Sequence, residues 1–339
     1  MNVGSSPVKR WPDFFIAGAA KAGTTSLWRY LLQHPQIYMP GNFREKEPSF
    51  FCDNYGLDDE KEYLDLFRGA PALTKVGEAS GPYLTAPESA GRIHSQLPQA
   101  KFIIMLRNPA ERAYSLYNWM IKEGYEKIPT FEEALGEENR RWENPNFRSE
   151  CRQYHWNFLY FRSGLYGDQI QRYLELFSRA QIHFVLFESF KRDALLELKK
   201  IYSFLEIAET FPESLEVHNP ASVPRSVGGQ YFLRHRADRV FRRLLVPKRK
   251  QLIRYLMKRN TAGNVPVSLA EETRRALLDK YQQDFARTEE LSGINLHEWF
   301  APPAAKVKQP RQPAPAGVRT IPLAFYFCWA REFAEAAMV

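Results

Sequence analysis

The chain has 339 residues, of which 44% are apolar, so it can bury the core of a large globular domain and is not a disordered protein. Its three cysteines are too few for a disulfide framework, and residues 1–15 contain no apolar run typical of a signal peptide or a membrane-spanning helix, so we expect a cytoplasmic protein. The formal net charge is +8, and the basic excess comes mostly from one stretch late in the chain.

The first predicted element is a strand at residues 14–17, an apolar run that is typical of a buried parallel strand. A turn of small residues, 18–25, follows it, and apolar residues at helical spacing then predict a helix over 24–33. Strand, glycine-rich turn and helix form a phosphate-binding loop, because backbone N–H groups and the helix N-terminus converge on one anion and Lys21 adds a full positive charge. The sequence therefore predicts a phosphorylated ligand.

Further predicted strands are short and apolar, and predicted helices lie between them. The strands span 75–79, 101–106 and 182–187. The helices lie near 88–97, 109–122, 166–178, 190–205 and 266–292. The last helix is predicted to begin with a capping box of Ser268 and Glu271. This alternation predicts an α/β fold with a doubly wound parallel sheet that carries helices on both faces.

The position of the lysine argues against a nucleoside triphosphatase. In such a loop the lysine directly follows the second glycine, whereas Lys21 precedes Gly23 by two residues. The predicted strand 101–106 is followed by Arg107, where a Walker B strand would end in an aspartate that holds Mg²⁺. A P-loop kinase or nucleoside triphosphatase is therefore the weaker alternative. A non-catalytic anion-binding protein on the same fold is a second alternative.

Several segments resemble the sulfotransferases that use 3′-phosphoadenosine 5′-phosphosulfate (PAPS), above all the heparan sulfate sulfotransferases and their bacterial relatives. The order G-x-x-K-x-G-T-T over residues 18–25 resembles their 5′-phosphosulfate loop. Three further segments resemble elements of the same family: KEPSFF at 46–51, GEASGPYL at 77–84 and FIIMLRNPAERAYSLYNW at 102–119. The resemblance covers residues 11–300. It implies a P-loop-containing nucleotide-hydrolase-like fold, in-line sulfuryl transfer from PAPS, and adenosine 3′,5′-bisphosphate as product.

The resemblance also implies a role for each matched residue. Glu47 of KEPSFF matches the catalytic base, and Glu78 of GEASGPYL is the second candidate for that role. Lys21 would neutralise the bridging oxygen of the departing 5′-phosphate. Arg107 and Ser115, eight residues apart, match the arginine and serine that bind the 3′-phosphate. The residues that would bind the 5′-phosphate through N–H groups and hydroxyls are Ala22, Gly23, Thr24, Thr25 and Ser26.

The chain departs from the family pattern in two places. Ala79 follows Glu78 where the better-known heparan enzymes have a lysine, and residues 258–266 lack the K-G-R element that closes on the nucleotide in those enzymes. The candidates to replace that element are Arg225, Lys258 and Arg259. By resemblance the expected acceptor is a glycan hydroxyl, with a lipid or a secondary metabolite next.

A strongly basic stretch, residues 225–259, contains twelve lysines and arginines and one acid, Asp238. Two interpretations stay open. The stretch is either a solvated helical face or a surface that attracts an anionic partner, which would be a nucleotide, an acidic glycan or a lipid headgroup. A lipid headgroup would mean peripheral contact with a membrane. We expect no nucleic-acid partner, because no zinc, RRM or helix-turn-helix pattern accompanies the stretch. We also expect no metal site, since the seven histidines show no paired ligand spacing.

The sequence changes character at Ala301. Residues 301–320 are rich in proline and alanine and are predicted to form a linker. Residues 321–339 are predicted to form a short apolar tail, too short to cross a bilayer but a second candidate for peripheral membrane contact.

Overall fold

The computed structural model describes residues 10–42, 45–213, 215, 223–261 and 268–300. The predicted linker 301–320 and tail 321–339 lie outside these residues. The chain divides into two compact units. The first comprises residues 1–113, 159–219 and 271–296, and the second comprises 114–158, 220–270 and 297–339.

The first unit contains a parallel sheet of five strands in the order β2-β3-β1-β4-β5. The strands are β1 Phe14–Gly18, β2 Ile37–Tyr38, β3 Lys75–Ala79, β4 Lys101–Leu106 and β5 Ile182–Leu186. The doubly wound parallel sheet predicted from the sequence is confirmed. Strand β2 was not predicted, because two residues are too few to show a pattern.

Strand β1 lies in the centre of the sheet, and all of its residues are buried. Phe14 pairs in register with Gly77 of β3, where a Cβ atom would come within 2.3 Å of the Phe14 ring. On the other side, the Phe15 ring stacks on Phe102 of β4 with centroids 5.7 Å apart. These aromatic contacts fix the register of the three strands that carry the site.

The helices are numbered in chain order through both units. They are α1 Thr24–Leu31, α2 Glu60–Asp65, α3 Pro82–Thr85, α4 Ser89–Gln96, α5 Pro109–Lys122, α6 Phe131–Gly136, α7 Glu138–Glu143, α8 Phe147–Glu150, α9 Tyr166–Leu174, α10 Phe187–Arg192, α11 Ala194–Leu205, α12 Val227–His235, α13 Ala237–Arg243, α14 Arg249–Asn260 and α15 Glu271–Ser292. Short 3₁₀ helices lie at His155–Phe158, Arg162–Gly164, Arg179–Gln181 and His297–Trp299.

The helices that were predicted differ from the observed ones mostly at the ends, whereas α2, α3, α6 to α8 and α12 to α14 were not predicted. Helix α5 has the predicted bounds, whereas the helix predicted over 190–205 is two helices, α10 and α11. Asp193 separates them because its carboxylate accepts a hydrogen bond from the Leu196 N–H at 3.0 Å and so caps α11. Helix α15 begins at Glu271, so Ser268 lies outside it and the predicted capping box was wrong.

Helix α15 belongs to the first unit although it lies far along the chain. Its Asp284 carboxylate accepts hydrogen bonds from the N–H groups of Tyr166 and Gly167, at 2.8 and 2.9 Å, at the start of α9. Its Tyr281 hydroxyl donates to the Phe161 carbonyl oxygen at 2.8 Å. The long helix thus stabilises the start of α9 and the residues directly before it.

The second unit has its own apolar core between α12, α13 and α14. Leu233, Ala237 and Phe241 are buried there, and Val246 packs against them. No described helix in either unit is both long enough and apolar enough to cross a bilayer.

Candidate active site

The predicted phosphate-binding loop lies at the carboxyl end of β1. Gly23 is the N-cap of α1, and the Ala22 N–H donates to the Ala19 carbonyl oxygen at 3.1 Å, which closes a tight turn. The Ala19 N–H donates to the Met105 carbonyl oxygen of β4 at 2.7 Å. Because N–H groups in the first turn of a helix have no acceptor within the helix, those of Thr24 and Thr25 are available to an anion.

Gly23 is required by its backbone and by its surroundings. Its φ is 92°, in the left-handed region that favours glycine, and a Cβ atom would lie 2.9 Å from the Phe187 ring. The same ring faces the Arg107 guanidinium, whose central carbon lies 4.8 Å from the ring centroid. Phe187 was predicted as the last residue of a strand, but it is the first residue of α10. No local sequence pattern therefore predicts this contact.

Arg107 lies against the loop, as its predicted role requires. Its Nη1 donates to the Lys21 carbonyl oxygen at 3.0 Å, and its own carbonyl oxygen accepts from the Tyr166 hydroxyl at 2.9 Å. Burial lowers the pKa of the Arg107 guanidinium. The chain leaves β1 towards β2 and β3 but leaves β4 towards β5, so the gap between the ends of β1 and β4 is where such sheets bind ligands.

Ser115, the predicted partner of Arg107, is half-buried on α5. This helix begins in the first unit, but Ser115 belongs to the second. Binding of one phosphate by both residues therefore stays a prediction.

Glu47 is held by a residue that the sequence analysis did not single out. Its Oε1 accepts from the Lys46 Nζ at 2.8 Å, and the Lys46 side chain is only 2% exposed whereas that of Glu47 is 44% exposed. The Phe50 ring stacks on Tyr63 at 4.4 Å, and Phe51 packs edge-on against Phe15. The aromatic pair thus anchors the segment in the core, while Glu47 presents a fixed carboxylate to solvent.

The KEPSFF segment and the phosphate-binding loop meet at the end of β3. The Ser49 N–H donates to the Ser80 hydroxyl at 3.0 Å, which ties KEPSFF to the residues after β3. The next residue, Gly81, lies against the loop, because a Cβ on it would be 3.5 Å from the Cα of Ala20. The structure therefore brings Glu47 and Lys21 to the same edge of the sheet.

Comparison with known proteins agrees with this geometry. A family model for the sulfotransferase domain matches residues 11–221. The chain belongs to the sulfotransferase family. The crystal structure of a sulfotransferase from Alicyclobacillus acidocaldarius is similar, with a TM-score of 0.64, 30% identity and coverage of 86% of this chain and 99% of that one.

Several of the curated relatives are enzymes named for heparan sulfate. Bifunctional heparan sulfate N-deacetylase/N-sulfotransferase 1 of Caenorhabditis briggsae is 28% identical over 209 residues, which is 60% of this sulfotransferase and 23% of that protein. Mouse heparan sulfate glucosamine 3-O-sulfotransferase 6 is 28% identical over 220 residues, with 60% of this chain and 55% of that protein covered. This sulfotransferase thus matches less than two thirds of the length of each.

Glu78, the second candidate for the base, is a fully buried carboxyl group in this sulfotransferase. It accepts hydrogen bonds from the hydroxyls of Tyr63 and Ser80, each at 2.5 Å. Burial raises the pKa of Glu78 to about 7, although these hydrogen bonds lower it, and the negative charge of Glu47 adds to the rise. The Glu78 carboxyl group is thus enclosed at the end of β3, whereas the Glu47 carboxylate is partly exposed to solvent.

Replacing Glu78 by glutamine should remove part of the pH dependence of stability. The pKa of this carboxyl group is 4.5 in the unfolded chain and about 7 in the folded protein. The group therefore adds its full contribution to the free energy of unfolding below pH 4.5, and this contribution is lost as the pH rises through 7. The loss is on the order of 3 kcal/mol. Denaturant unfolding over this range should show a smaller fall in the free energy of unfolding in Glu78→Gln than in the wild type.

Glu62→Gln, at an exposed glutamate on α2, is the matched control and should keep the wild-type pH profile of unfolding. Parallel pH profiles for the wild type and Glu78→Gln would contradict the assignment of Glu78 as a buried group that ionises near neutrality.

The three late basic candidates lie near one another in the second unit. The Arg225 N–H donates to the Asn260 carbonyl oxygen at 2.6 Å, beside an isolated bridge between Pro224 and Thr261. Lys258 and Arg259 directly precede Asn260 and are exposed. The structure therefore brings the backbone of these three residues close together, and their contact with a nucleotide stays a prediction.

The histidines with described hydrogen bonds have ordinary packing roles. His34 Nε2 bonds the Ala208 carbonyl oxygen at 2.8 Å, and His235 Nε2 bonds that of Gly124 at 2.9 Å. Over the described part of the chain, no three or more His, Cys, Asp or Glu side chains are grouped so that they could hold a metal ion.

Proposed function

We propose that this sulfotransferase moves a sulfuryl group from PAPS to an acceptor hydroxyl or amine by in-line transfer. The observation that carries the proposal is the hydrogen bond from the Arg107 guanidinium to the Lys21 carbonyl oxygen. It unites a loop suited to one phosphate with an arginine suited to a second phosphate, at the ligand-binding edge of the sheet. A ligand with phosphates on both its 5′ and 3′ positions fits this pairing better than one with a single phosphate chain.

The two phosphates of PAPS would be bound by different elements. The 5′-phosphate would accept hydrogen bonds from the N–H groups of the first turn of α1 and from the hydroxyls of Thr24, Thr25 and Ser26. The 3′-phosphate would be bound by Arg107, whose planar guanidinium suits a phosphate dianion, together with Ser115. Lys21 would offset the negative charge that develops on the leaving oxygen during transfer.

Glu47 is the proposed general base. Its carboxylate is partly exposed, is oriented by the Lys46 ammonium and lies at the same edge of the sheet as the loop. A base of this kind takes the acceptor proton as the new bond to sulfur forms. A glycan is the first choice of acceptor, because several curated relatives, the Caenorhabditis briggsae and mouse enzymes among them, are named for heparan sulfate. A lipid or a secondary metabolite is the second choice.

The protein should bind adenosine 3′,5′-bisphosphate about tenfold or more tightly than AMP, because one charge-assisted hydrogen bond to a phosphate contributes about 1.5–3 kcal/mol. Titration calorimetry with the two nucleotides measures the difference directly. Arg107→Gln should bring the affinities together by weakening binding of the bisphosphate more than binding of AMP. Equal affinities in the wild type would reject the proposed 3′-phosphate site.

The same titrations test the kinase or nucleoside triphosphatase alternative. Arg107 follows β4 where such an enzyme needs an acid for Mg²⁺, so Mg²⁺ should not raise the affinity for ATP. ATP binding that depends on Mg²⁺ and exceeds binding of the bisphosphate would favour that alternative.

A further inference from the structure

The connection between α13 and α14, residues 244–248 (the 244–248 loop), places two leucines in solvent. Leu245 is 88% exposed and Leu244 is 56% exposed. The next residue, Val246, instead packs against the core of the second unit. Of these three consecutive apolar residues, one packs against the core of the second unit and two are exposed to solvent.

The backbone of the 244–248 loop is held in a defined shape. The Leu245 N–H donates to the Arg242 carbonyl oxygen at 3.2 Å, and the Val246 N–H donates to that of Phe241 at 2.9 Å. Leu245 and Lys248 have φ values of 51° and 49°, in the left-handed region that residues with a side chain adopt rarely. The exposure of the leucines is therefore a property of an ordered turn.

Positive charge surrounds these leucines. Residues 237–254 contain seven lysines and arginines and a single acid, Asp238. The Asp238 carboxylate accepts hydrogen bonds from Arg242 and Arg249, each at 2.8 Å, so its charge is already neutralised. Arg243 and Lys250, which flank the loop, are both exposed. The surface thus combines exposed apolar side chains with a net positive field.

We infer that the 244–248 loop docks this protein on an anionic lipid bilayer. Leu244 and Leu245 would enter the boundary between headgroups and acyl chains, while the basic side chains bind the anionic headgroups. An acidic glycan, the other polyanion that the basic stretch could attract, has no apolar phase in which to bury the leucines. The inference concerns the second unit alone and does not depend on the proposed sulfuryl transfer.

The test uses the full-length chain and flotation with two kinds of vesicle. One kind is phosphatidylcholine alone, and in the other about one lipid in three is anionic phosphatidylglycerol. The wild type should bind the anionic vesicles selectively and lose this binding in high salt, since surface charge is screened. Leu244→Asp with Leu245→Asp should weaken it about tenfold or more. Arg243→Gln with Lys250→Gln should weaken it about twenty-five-fold, at roughly fivefold for each charge.

Matched controls place equal changes elsewhere on the surface. Leu73→Asp alters a leucine that is 95% exposed in the first unit, and Lys61→Gln with Lys280→Gln removes two exposed charges. These variants should bind vesicles as the wild type does. The double leucine variant should also melt at the wild-type temperature, because solvent-exposed leucines contribute little to folding stability.

Three results would overturn the inference. The first is full vesicle binding by the double leucine variant. The second is binding of heparin, but not of vesicles, that depends on Arg243 and Lys250, since this would identify a polyanion site. The third is a clear fall in melting temperature in the double leucine variant, because the leucines would then be packed within the protein.

Discussion

Replacing Glu47 by glutamine should lower turnover by about two to four orders of magnitude, the usual effect of losing a general base. Glutamine has nearly the same shape, and its amide oxygen can still accept the hydrogen bond that Lys46 donates at 2.8 Å. The glutamine side chain cannot, however, take the proton from the hydroxyl or amine of the sulfuryl acceptor as the bond to sulfur forms. The affinity for adenosine 3′,5′-bisphosphate should change little, because the residues proposed to bind its phosphates are unaltered.

The measurement is initial-rate kinetics with labelled PAPS and a panel of acceptors, combined with calorimetry of the bisphosphate. Glu45→Gln is the matched control, because Glu45 is an exposed glutamate two residues earlier in the same segment, and it should keep wild-type turnover. Melting curves show whether Glu47→Gln leaves Lys46 without a sufficient partner, since a buried cation without one costs stability. Near-full turnover in Glu47→Gln, with Glu78→Gln inactive, would transfer the role of base to Glu78.

The parts of the site that could be predicted from the sequence are those whose residues lie together in one short motif. The apolar run of β1, the glycines and Lys21 of the loop, and Arg107 after β4 are each recognisable within a few residues. The structure then shows that β1 and β4 are neighbours in the sheet, which explains why Lys21 and Arg107 meet. Their contact follows from the strand order, which was not predicted from the sequence.

Other parts of the site depend on contacts between distant segments, which no local pattern records. Phe187 packs against Gly23 and Arg107 because β5 ends beside β4, yet in the sequence it reads as one more apolar strand residue. The burial of Lys46 is equally hidden, since lysine is almost never fully buried unless it is paired. Charge and hydropathy alone place Lys46 at the surface, whereas the folded chain makes it the partner that fixes Glu47.

Replacing Lys21 by alanine should lower turnover by about two to three orders of magnitude, the effect of removing one donor from a site of developing charge. The affinity for adenosine 3′,5′-bisphosphate should fall less, because the leaving oxygen gains most of its charge in the transition state. Arg107 bonds the backbone carbonyl of Lys21, which alanine retains, so the arginine should keep its place.

The comparison of three variants decides what Lys21 does. Lys21→Arg keeps a positive charge near the leaving oxygen and should retain more turnover than Lys21→Ala, whereas Lys61→Ala, at an exposed lysine of α2, should match the wild type. Single-turnover rates at saturating PAPS separate the chemical step from binding. If Lys21→Ala weakens nucleotide binding but turns over normally at saturation, Lys21 only tethers the ligand. In that case stabilisation of the leaving group must come from the N–H groups at the start of α1.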